Sequence, residues 1–384
     1  MKKRYELLLV STDFGGGVSR IVREIGSCLN EFFKVKVYSL MHPLFKGKHH
    51  YDEEVYKGLL IKMYPGVHIA RAYLVSFSFL SAVMKQNPDL VHAHHYGYFP
   101  ATCGFLLAKI KRKPFVISTY LHPPSKNPFN RFLFYLQYYT QGIFTLKFAD
   151  AIIVSTKLEK KIIEKYVREK NKVLVIPNPI DTQKFLRVVK KSGKKKIVLY
   201  AGLLHWTKGA DIFFEIAKKI LDCRRDVIFV MIGKGGQDKK FDEKLKAESK
   251  HYKGRIRVIN EASDSDLIEW YSKADIFVSP TYYESFGLMI AEAMACETPV
   301  ISTKVGAVPE VVPEGKGGFL VDYGNWKKME EKINYLLDNP DLRRKMGEDA
   351  RKFVVDNFEL KKIVKSFREV YLSLLNKNVK ENNK

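Results

Sequence analysis

Short β-branched runs alternate with helix-length amphipathic segments along almost the whole chain, and this alternation constrains the fold more than any other feature. Such a pattern is typical of βαβ units, in which consecutive strands lie parallel in one sheet. Seven strand-length runs come first, at residues 5–11, 35–40, 59–64, 89–95, 114–119, 151–155 and 172–177. Six more follow, at residues 196–202, 226–233, 255–260, 275–280, 298–303 and 317–321. The sequence therefore predicts an α/β protein with two doubly wound parallel sheets in tandem.

The alternation is interrupted once, where residues 177–196 carry two prolines and a basic run. Such a segment favours neither a strand nor a long amphipathic helix. We therefore predict an N-terminal domain over 1–180, a linker over 181–196 and a C-terminal domain over 197–358. The helix over 359–377 is predicted to pack back on the first domain. Ligands of such sheets bind at the carboxyl ends of the strands, so we expect the site in a crevice between the domains.

Composition limits the classes of partner and compartment. The chain has 66 Lys and Arg against 42 Asp and Glu, a net charge of +24, which fits an anionic partner or simply well-solvated helix faces. Its four cysteines form no CxxC pair, which indicates neither a zinc site nor a disulfide framework and favours the cytoplasm. No apolar run approaches the roughly 20 residues of a membrane span, and no nucleic-acid-binding motif is present.

Three glycines, Gly15, Gly16 and Gly17, lie in STDFGGGVSR between the first strand and the first helix. Glycines at this position let backbone N–H groups approach an anion or a sugar. The segment lacks both the GxGxxG fingerprint and the GK[ST] of a P-loop. A tight turn without a ligand is the alternative interpretation.

The segment YYESFGLMIAEAMACETPV, residues 282–300, holds two carboxylates, Glu284 and Glu292. Glu284 is predicted in the loop after a strand, and Glu292 about 12 Å further along the following helix. That separation does not fit a carboxylate pair that shares a proton or a glycosidase pair. The helix start offers unpaired N–H groups for a diphosphate between the carboxylates; they belong to Ser285, Phe286, Gly287 and Leu288.

Lys208 lies in LYAGLLHWTKGAD, just before a glycine and a new helix at the end of a strand. A lysine at this position can bind phosphate as a point charge. It can equally be a surface residue at a helix start.

Residues 274–312, ADIFVSPTYYESFGLMIAEAMACETPVISTKVGAVPEVV, resemble the retaining nucleotide-sugar glycosyltransferases of the GT-B fold, glycosyltransferase family 4. The likeness includes the family's arrangement of two glutamates separated by seven residues. Weaker matches, such as GGGVSR, DLVHAHH and AGLLHWTKG, extend it over most of the chain.

This resemblance implies a role for each residue of the motif. Glu284 would contact hydroxyls of the donor sugar, Glu292 would hold the ribose hydroxyls, and Lys208 would neutralise the leaving diphosphate. The backbone of Phe286, Gly287 and Leu288 would bind the diphosphate, and Gly15 to Gly17 would close against donor phosphate and acceptor. The domain over 1–180 would be the acceptor side, and the domain over 197–358 would bind the nucleotide sugar.

Several positions depart from the family pattern, among them NPID at residues 178–181 in place of the usual VNG-type turn. Leu203 stands where an Arg is usual, Glu297 replaces a usual Gly, and Tyr120 occupies the place of a His. His122, two residues further on, is our candidate for the missing catalytic histidine; the alternative is a loop histidine before two prolines.

The implied activity is transfer of a hexose, with retention of anomeric configuration, from a nucleotide-diphosphate sugar to a glycan or lipid-linked acceptor, without a metal or other cofactor. Two alternatives stay open: a nucleotide-sugar epimerase and a donor-binding protein without turnover. The expected location is cytoplasmic and peripheral to an anionic membrane.

Two further patterns invite a metal interpretation. Asp264 and Asp266 have the DxD spacing of some metal sites, but their position before an apolar-periodic run favours helix capping. His92, His94 and His95 end a strand without an accompanying carboxylate or cysteine, so we interpret them as strand-end residues lining the cleft rather than metal ligands.

Residues 129–148 contain a dense run of aromatic side chains flanked by Arg131 and Lys147. They form either a core helix or an aromatic and basic face toward a membrane or lipid-linked acceptor.

Overall fold

The computed structural model describes residues 4–13, 16–41, 53–70, 73–121, 131–132, 135–136, 138–187, 195–233 and 239–382. The chain divides into two compact units. Unit 1 comprises Met1–Pro179 with Leu360–Lys384, and unit 2 comprises Ile180–Glu359. Of the predicted linker, residues 181–187 belong to unit 2 and residues 188–194 lie outside the described residues.

Unit 1 contains ten described strands and six described α-helices. The strands are β1 (Glu6–Asp13), β2 (Lys34–Met41), β3 (Glu53–Tyr56), β4 (Leu59–Pro65), β5 (Val67–Ala70), β6 (Tyr73–Val75), β7 (Leu90–His94), β8 (Phe115–Ser118), β9 (Ala151–Val154) and β10 (Val173–Val175). The helices are α1 (Gly17–Leu29), α2 (Phe77–Met84), α3 (Phe99–Ile110), α4 (Ile143–Lys147), α5 (Lys157–Ile163) and, at the end of the chain, α13 (Leu360–Asn382).

Eight of these strands form one sheet in the order β10-β9-β8-β7-β1-β2-β4-β3. All neighbours pair in parallel except β3, which runs antiparallel to β4 at the edge. The seven strand runs predicted in this part of the chain are confirmed. Sequence analysis missed β3 and the hairpin of β5 and β6, which are short and lack a clear apolar alternation.

Unit 2 contains six described strands and seven described α-helices. The strands are β11 (Lys196–Ala201), β12 (Val227–Ile232), β13 (Ile256–Ile259), β14 (Ile276–Ser279), β15 (Val300–Thr303) and β16 (Gly318–Val321). The helices are α6 (Ala210–Cys223), α7 (Lys239–Ser249), α8 (Asp264–Lys273), α9 (Leu288–Ala295), α10 (Val308–Val311), α11 (Trp326–Asp338) and α12 (Pro340–Phe358).

The sheet of unit 2 is wholly parallel, in the order β13-β12-β11-β14-β15-β16, and contains all six predicted runs. Both of its faces are covered, because alternate side chains of each strand enter different apolar clusters. Leu199 packs in one cluster, whereas Val198 and Tyr200 pack in the other. The strand order reverses between β11 and β14, so the loops that follow these two strands lie where open α/β sheets bind ligands.

The C-terminal helix α13 is joined to strand β7 of the unit 1 sheet by a buried hydrogen bond. His92 Nδ1 lies 2.6 Å from the Tyr371 hydroxyl, and His92 Nε2 lies 2.9 Å from Ser118 Oγ. The ring of His94 lies 4.1 Å from that of His92, as expected for residues on one face of β7. Both histidines are fully buried, so they do not line an open surface. Within the described part of the chain, no helix is both long and apolar enough to span a bilayer.

These buried imidazoles make the stability of unit 1 depend on pH. Burial lowers the pKa of His94 to about 3, and it lowers the pKa of His92 well below its usual range, with the neighbouring His94 adding to the effect. An unfolded histidine titrates near pH 6.5, so the unfolded chain binds more protons between about pH 6.5 and 3. Unprotonated His92 and His94 therefore leave unit 1 at full stability above about pH 6.5. The free energy of unfolding falls as the pH falls from there toward 3.

We predict that His94→Phe weakens this dependence. The variant removes one titrating group, so the slope of unfolding free energy between pH 6 and 4.5 should fall by up to about 1.4 kcal/mol per pH unit. Urea unfolding at the two pH values measures the slope. His68→Phe, at an exposed position of the same unit, serves as control. An unchanged slope in His94→Phe would contradict the assignment.

Candidate active site

The loops after β11 and β14 are joined directly to each other. The Tyr282 N–H donates to the Thr207 carbonyl at 3.0 Å, and Thr281 Oγ1 donates to the same oxygen at 3.2 Å. Gly209 has a φ of +72°, and a Cβ atom there would lie 2.0 Å from the Pro280 carbonyl oxygen. Only glycine allows this approach, so the two loops are held together at the point where the strand order reverses.

An ion pair connects these loops at the same place. Lys208 Nζ lies 2.7 Å from Glu284 Oε1. The lysine side chain is 32% exposed and the glutamate 18%, so the pair is partly desolvated but accessible. Two residues predicted separately from the sequence are thereby brought into contact.

A third loop, after β15, fixes the backbone of Glu284. The Ala307 N–H donates to the Glu284 carbonyl at 3.0 Å. Gly306 has a φ of +51°, and a Cβ atom there would lie 2.1 Å from that same oxygen. Sequence analysis missed this contact, although the glycine in STKVGAVPE was a signal for a turn.

The segment Ser285–Leu288 leads into α9 as predicted. Gly287, with a φ of +95°, is the N-cap, and no side-chain hydrogen bond caps the helix. Phe286 is buried against Phe358, with ring centroids 5.1 Å apart. Ser285 is half-buried and follows Glu284 directly. The N–H groups of this turn therefore belong to the residues immediately after the glutamate of the ion pair. The turn combines N–H donors and the positive end of a helix dipole, which favour an anion.

Glu292, the second carboxylate of the motif, lies inside unit 2 and is 1% exposed. The Tyr271 hydroxyl donates to its Oε2 at 3.2 Å. Its position among the apolar residues of α9 explains why it needs a hydrogen-bonding partner. The role of Glu292 toward ribose remains a prediction.

The buried Tyr200 holds the loop after β11 through a hydrogen bond. Its hydroxyl donates to the Leu203 carbonyl at 2.6 Å. Burial raises the pKa of Tyr200 well above its usual range, and the nearby Glu284 and Asp211 add to the shift. The Leu203 side chain, at the position of the family's usual Arg, is 53% exposed. The loop thus presents an apolar side chain where a second cation is usual.

In unit 1, Gly17 begins α1 and Gly16 is its N-cap. A Cβ atom at Gly16 would meet nothing within 4 Å, so packing does not require this glycine. Beside the turn, Asp13 Oδ2 lies 2.7 Å from the Arg23 guanidinium. Gly15 and His122 lie outside the described residues, and their roles remain predictions.

The capping interpretation of the DxD segment is confirmed. Ser263 Oγ accepts from the Asp266 N–H at 3.1 Å, and Asp266 Oδ2 accepts from the Ser263 N–H at 2.9 Å, a capping box at the start of α8. Asp264 instead pairs with Lys184 at 2.6 Å. Across the residues that the structure describes, no three His, Cys, Asp or Glu side chains are grouped to hold a metal.

Two family models match consecutive parts of the chain. The model "Glycosyltransferase Family 4" matches residues 15–184, and the model "Glycosyl transferases group 1" matches residues 181–353. The chain belongs to the group 1 glycosyltransferases of family 4. It is therefore a glycosyltransferase, and the match to the second model contains the ion pair and the α9 turn.

Relatives of this family 4 enzyme support the assignment. An uncharacterised glycosyltransferase of Methanocaldococcus jannaschii, MJ1178, is 28% identical over 84% of this chain and 88% of its own length. The capsular polysaccharide biosynthesis glycosyltransferase CapM of Staphylococcus aureus is 28% identical over 71% of this chain and 74% of its own. Anabaena HepE, solved in complex with UDP-glucose, aligns with a TM-score of 0.77 and 17% identity, covering 96% of this chain and all of HepE. The two Rossmann-like sheets and this likeness confirm the predicted GT-B fold.

The contact between Gly306 and Glu284 predicts a selective defect in Gly306→Ala. The new Cβ must displace the Glu284 backbone, so we expect sugar transfer to fall by at least about tenfold, as for a misplaced catalytic group. Initial transfer rates and thermal unfolding measure the two effects.

Gly315→Ala is the matched control, since Gly315 has a φ of +75° but a Cβ there meets nothing within 4 Å. Both variants carry left-handed strain of about 1–2 kcal/mol, and only the Gly306 variant should lose activity. Equal transfer rates in the two variants would contradict a positioning role for this loop.

Proposed function

We propose that this glycosyltransferase moves a sugar from a nucleotide-diphosphate sugar to a glycan or lipid-linked acceptor, with retention of anomeric configuration and without a metal ion. The observation that carries the proposal is the Lys208–Glu284 ion pair, held beside the α9 turn where the strand order of unit 2 reverses. It combines a cation, a carboxylate and the backbone N–H groups of a helix N-terminus in one place.

The charges at this edge support a nucleotide-diphosphate sugar as the donor. A diphosphate carries negative charge that grows on the leaving oxygen as the glycosidic bond breaks. Lys208 lies in the loop after β11, and the N–H groups of Gly287 and Leu288 lie at the start of α9, after β14. Both can stabilise that charge. They supply the positive charge that a metal ion supplies in other transferases. HepE, which shares this fold, binds UDP and UDP-glucose in its solved complexes, which supports a nucleotide-sugar donor here.

Glu284 is assigned to the reacting sugar. Its backbone is fixed by the loop after β15 and its side chain by Lys208, so its carboxylate is preorganised to accept hydrogen bonds from sugar hydroxyls. The resemblance to retaining enzymes favours a front-face reaction. The bond from the anomeric carbon to the diphosphate breaks, the acceptor oxygen bonds to that carbon on the same face, and the leaving phosphate takes the acceptor proton. No protein nucleophile is required.

A membrane-bound acceptor is supported by the surface of unit 1. Exposed aromatic side chains follow one another along the chain, with Lys109 and Lys147 over the ring of Phe148. The exposed apolar residues of this surface are Leu106, Ile110, Phe132, Tyr135, Leu136, Tyr139, Phe144 and Phe148. Aromatic and basic side chains exposed together are typical of proteins that bind anionic lipid surfaces.

We expect Glu284→Gln and Lys208→Met each to reduce transfer by about 10²–10³-fold, the usual loss when a preorganised electrostatic group is removed. The assay incubates the protein with labelled UDP- and GDP-sugars and a membrane extract, and follows label into the lipid and polysaccharide fractions. NMR of the isolated product gives its anomeric configuration, and EDTA tests the metal requirement.

Lys196→Met is the matched control. Lys196 pairs with Asp226 at 2.8 Å at the amino ends of β11 and β12, the opposite edge of the same sheet. Its loss should leave transfer near the wild-type rate. Transfer that survives in Glu284→Gln, an inverted product, or activity abolished by EDTA would contradict the corresponding part of the proposal.

A further inference from the structure

A row of four aromatic side chains, which we name the aromatic strip, crosses unit 2 at the same edge as the ion pair. It consists of Trp206, Tyr282, Tyr323 and Trp326. Successive ring centroids are 6.0, 5.4 and 5.1 Å apart along this row. The rings come from the loops after β11, β14 and β16 and from the first residue of α11, so the strip is a product of the fold and not of one sequence motif.

The strip begins at the reacting groups. Trp206 shares a 3₁₀ turn with Lys208, and Tyr282 precedes Glu284 by two residues in the loop after β14. Tyr323 follows β16, and Trp326 begins α11. In the sheet order, the row therefore leads from β11 and β14 toward the β16 edge, away from β12 and β13.

The rings remain accessible to a ligand. Trp206, Tyr282 and Tyr323 are 40%, 41% and 47% exposed, and Trp326, the last ring of the row, is half-buried. Trp206 and Tyr282 are tilted by 56° to each other, and the two following pairs meet edge-to-face at 81° and 83°. Edge-to-face contact stabilises the row internally, and Trp206, Tyr282 and Tyr323 keep exposed surface that a ligand can reach.

A saccharide fits this surface better than a lipid or a protein does. A pyranose ring has a C–H face that packs on an aromatic face and a rim of hydroxyls that needs polar groups. The strip consists only of Tyr and Trp, with Asp322 and Asn325 exposed beside Tyr323. By contrast, the exposed surface of unit 1 mixes aromatic rings with Leu and Ile, as lipid-facing surfaces do.

We propose that the aromatic strip binds the saccharide part of the acceptor next to the reacting carboxylate. This inference rests on the proposed function, because a row that starts beside Glu284 leads away from the reacting sugar only if Glu284 contacts that sugar. The strip provides stacking surfaces that position successive sugar units, while Lys208 and the α9 turn hold the donor.

The first test uses intrinsic fluorescence. The chain has three tryptophans, Trp206, Trp270 and Trp326, so Trp270→Phe leaves only the two on the strip. We titrate this variant with the neutral probes maltotetraose and cellotetraose, and separately with UDP-glucose. At least one tetraose should change the emission, and adding Tyr323→Ala should weaken its binding by about five- to tenfold.

The second test measures transfer to the membrane-extract acceptor. Tyr282→Ala and Tyr323→Ala should each raise the acceptor KM by about five- to tenfold with a much smaller change in kcat, whereas Tyr323→Phe, which keeps the ring, should restore the KM. Tyr335→Ala is the matched control, since Tyr335 is an aromatic residue of the same unit, 48% exposed, on α11 but outside the strip. Its KM should match that of the wild type.

The outcomes separate the two proposals. If the wild type transfers sugar and the acceptor KM of both alanine variants stays within twofold of its value, the strip proposal is overturned and the proposed function stands. If the wild type transfers no sugar, the proposed function fails, and the fluorescence titration alone tests whether the strip binds a saccharide. Tetraose binding weakened by Tyr323→Ala then supports the strip, and the absence of tetraose binding, or binding unaffected by Tyr323→Ala, overturns it.

Discussion

The strand order of unit 2 reverses between β11 and β14, and the contact of the two loops that follow these strands determines the rest of the site. Parallel strands end at one edge of the sheet, so their loops can meet only there. Gly209 lets the first loop approach Pro280 of the second, and the hydrogen bond from the Tyr282 N–H to the Thr207 carbonyl fixes the position of one loop relative to the other. Lys208 and Glu284 become neighbours as a consequence, although 76 residues separate them in the chain.

Around this contact, backbone carbonyls at and after the end of β14 accept hydrogen bonds from β15 and from the loop that follows it. The Glu284 carbonyl accepts from Ala307, Thr303 Oγ1 donates to the Thr281 carbonyl at 2.6 Å, and Ser302 Oγ donates to the Ser279 carbonyl at 2.9 Å. These bonds tie the end of β14 to β15. A carboxylate carried by such a framework changes position little when a ligand arrives, which is the condition for electrostatic preorganisation.

The sequence predicted the parallel strands well because buried parallel strands are local, continuous apolar runs. It also predicted the loop position of Glu284 and the capping role of Asp266. It did not predict contacts between distant segments, such as Gly306 against Glu284 or Tyr271 on Glu292, because periodicity contains no information on which loops meet. Glu297 is a further example. Its φ of +58° explains why glycine is usual there, and Arg187 lies 3.2 Å from its carboxylate.

The central claim is that Lys208 binds the donor diphosphate while Glu284 serves the sugar, and nucleoside diphosphate binding tests it most directly. Calorimetry with UDP and GDP compares the wild type, Lys208→Met and Glu284→Gln. Because Glu284 pairs with Lys208 at 2.7 Å, its neutralisation frees the lysine and removes a charge that repels the diphosphate. The account predicts that Glu284→Gln binds the diphosphate several-fold more tightly and that Lys208→Met binds it at least about tenfold more weakly. Equal weakening in both variants, or no change in Lys208→Met, would contradict it.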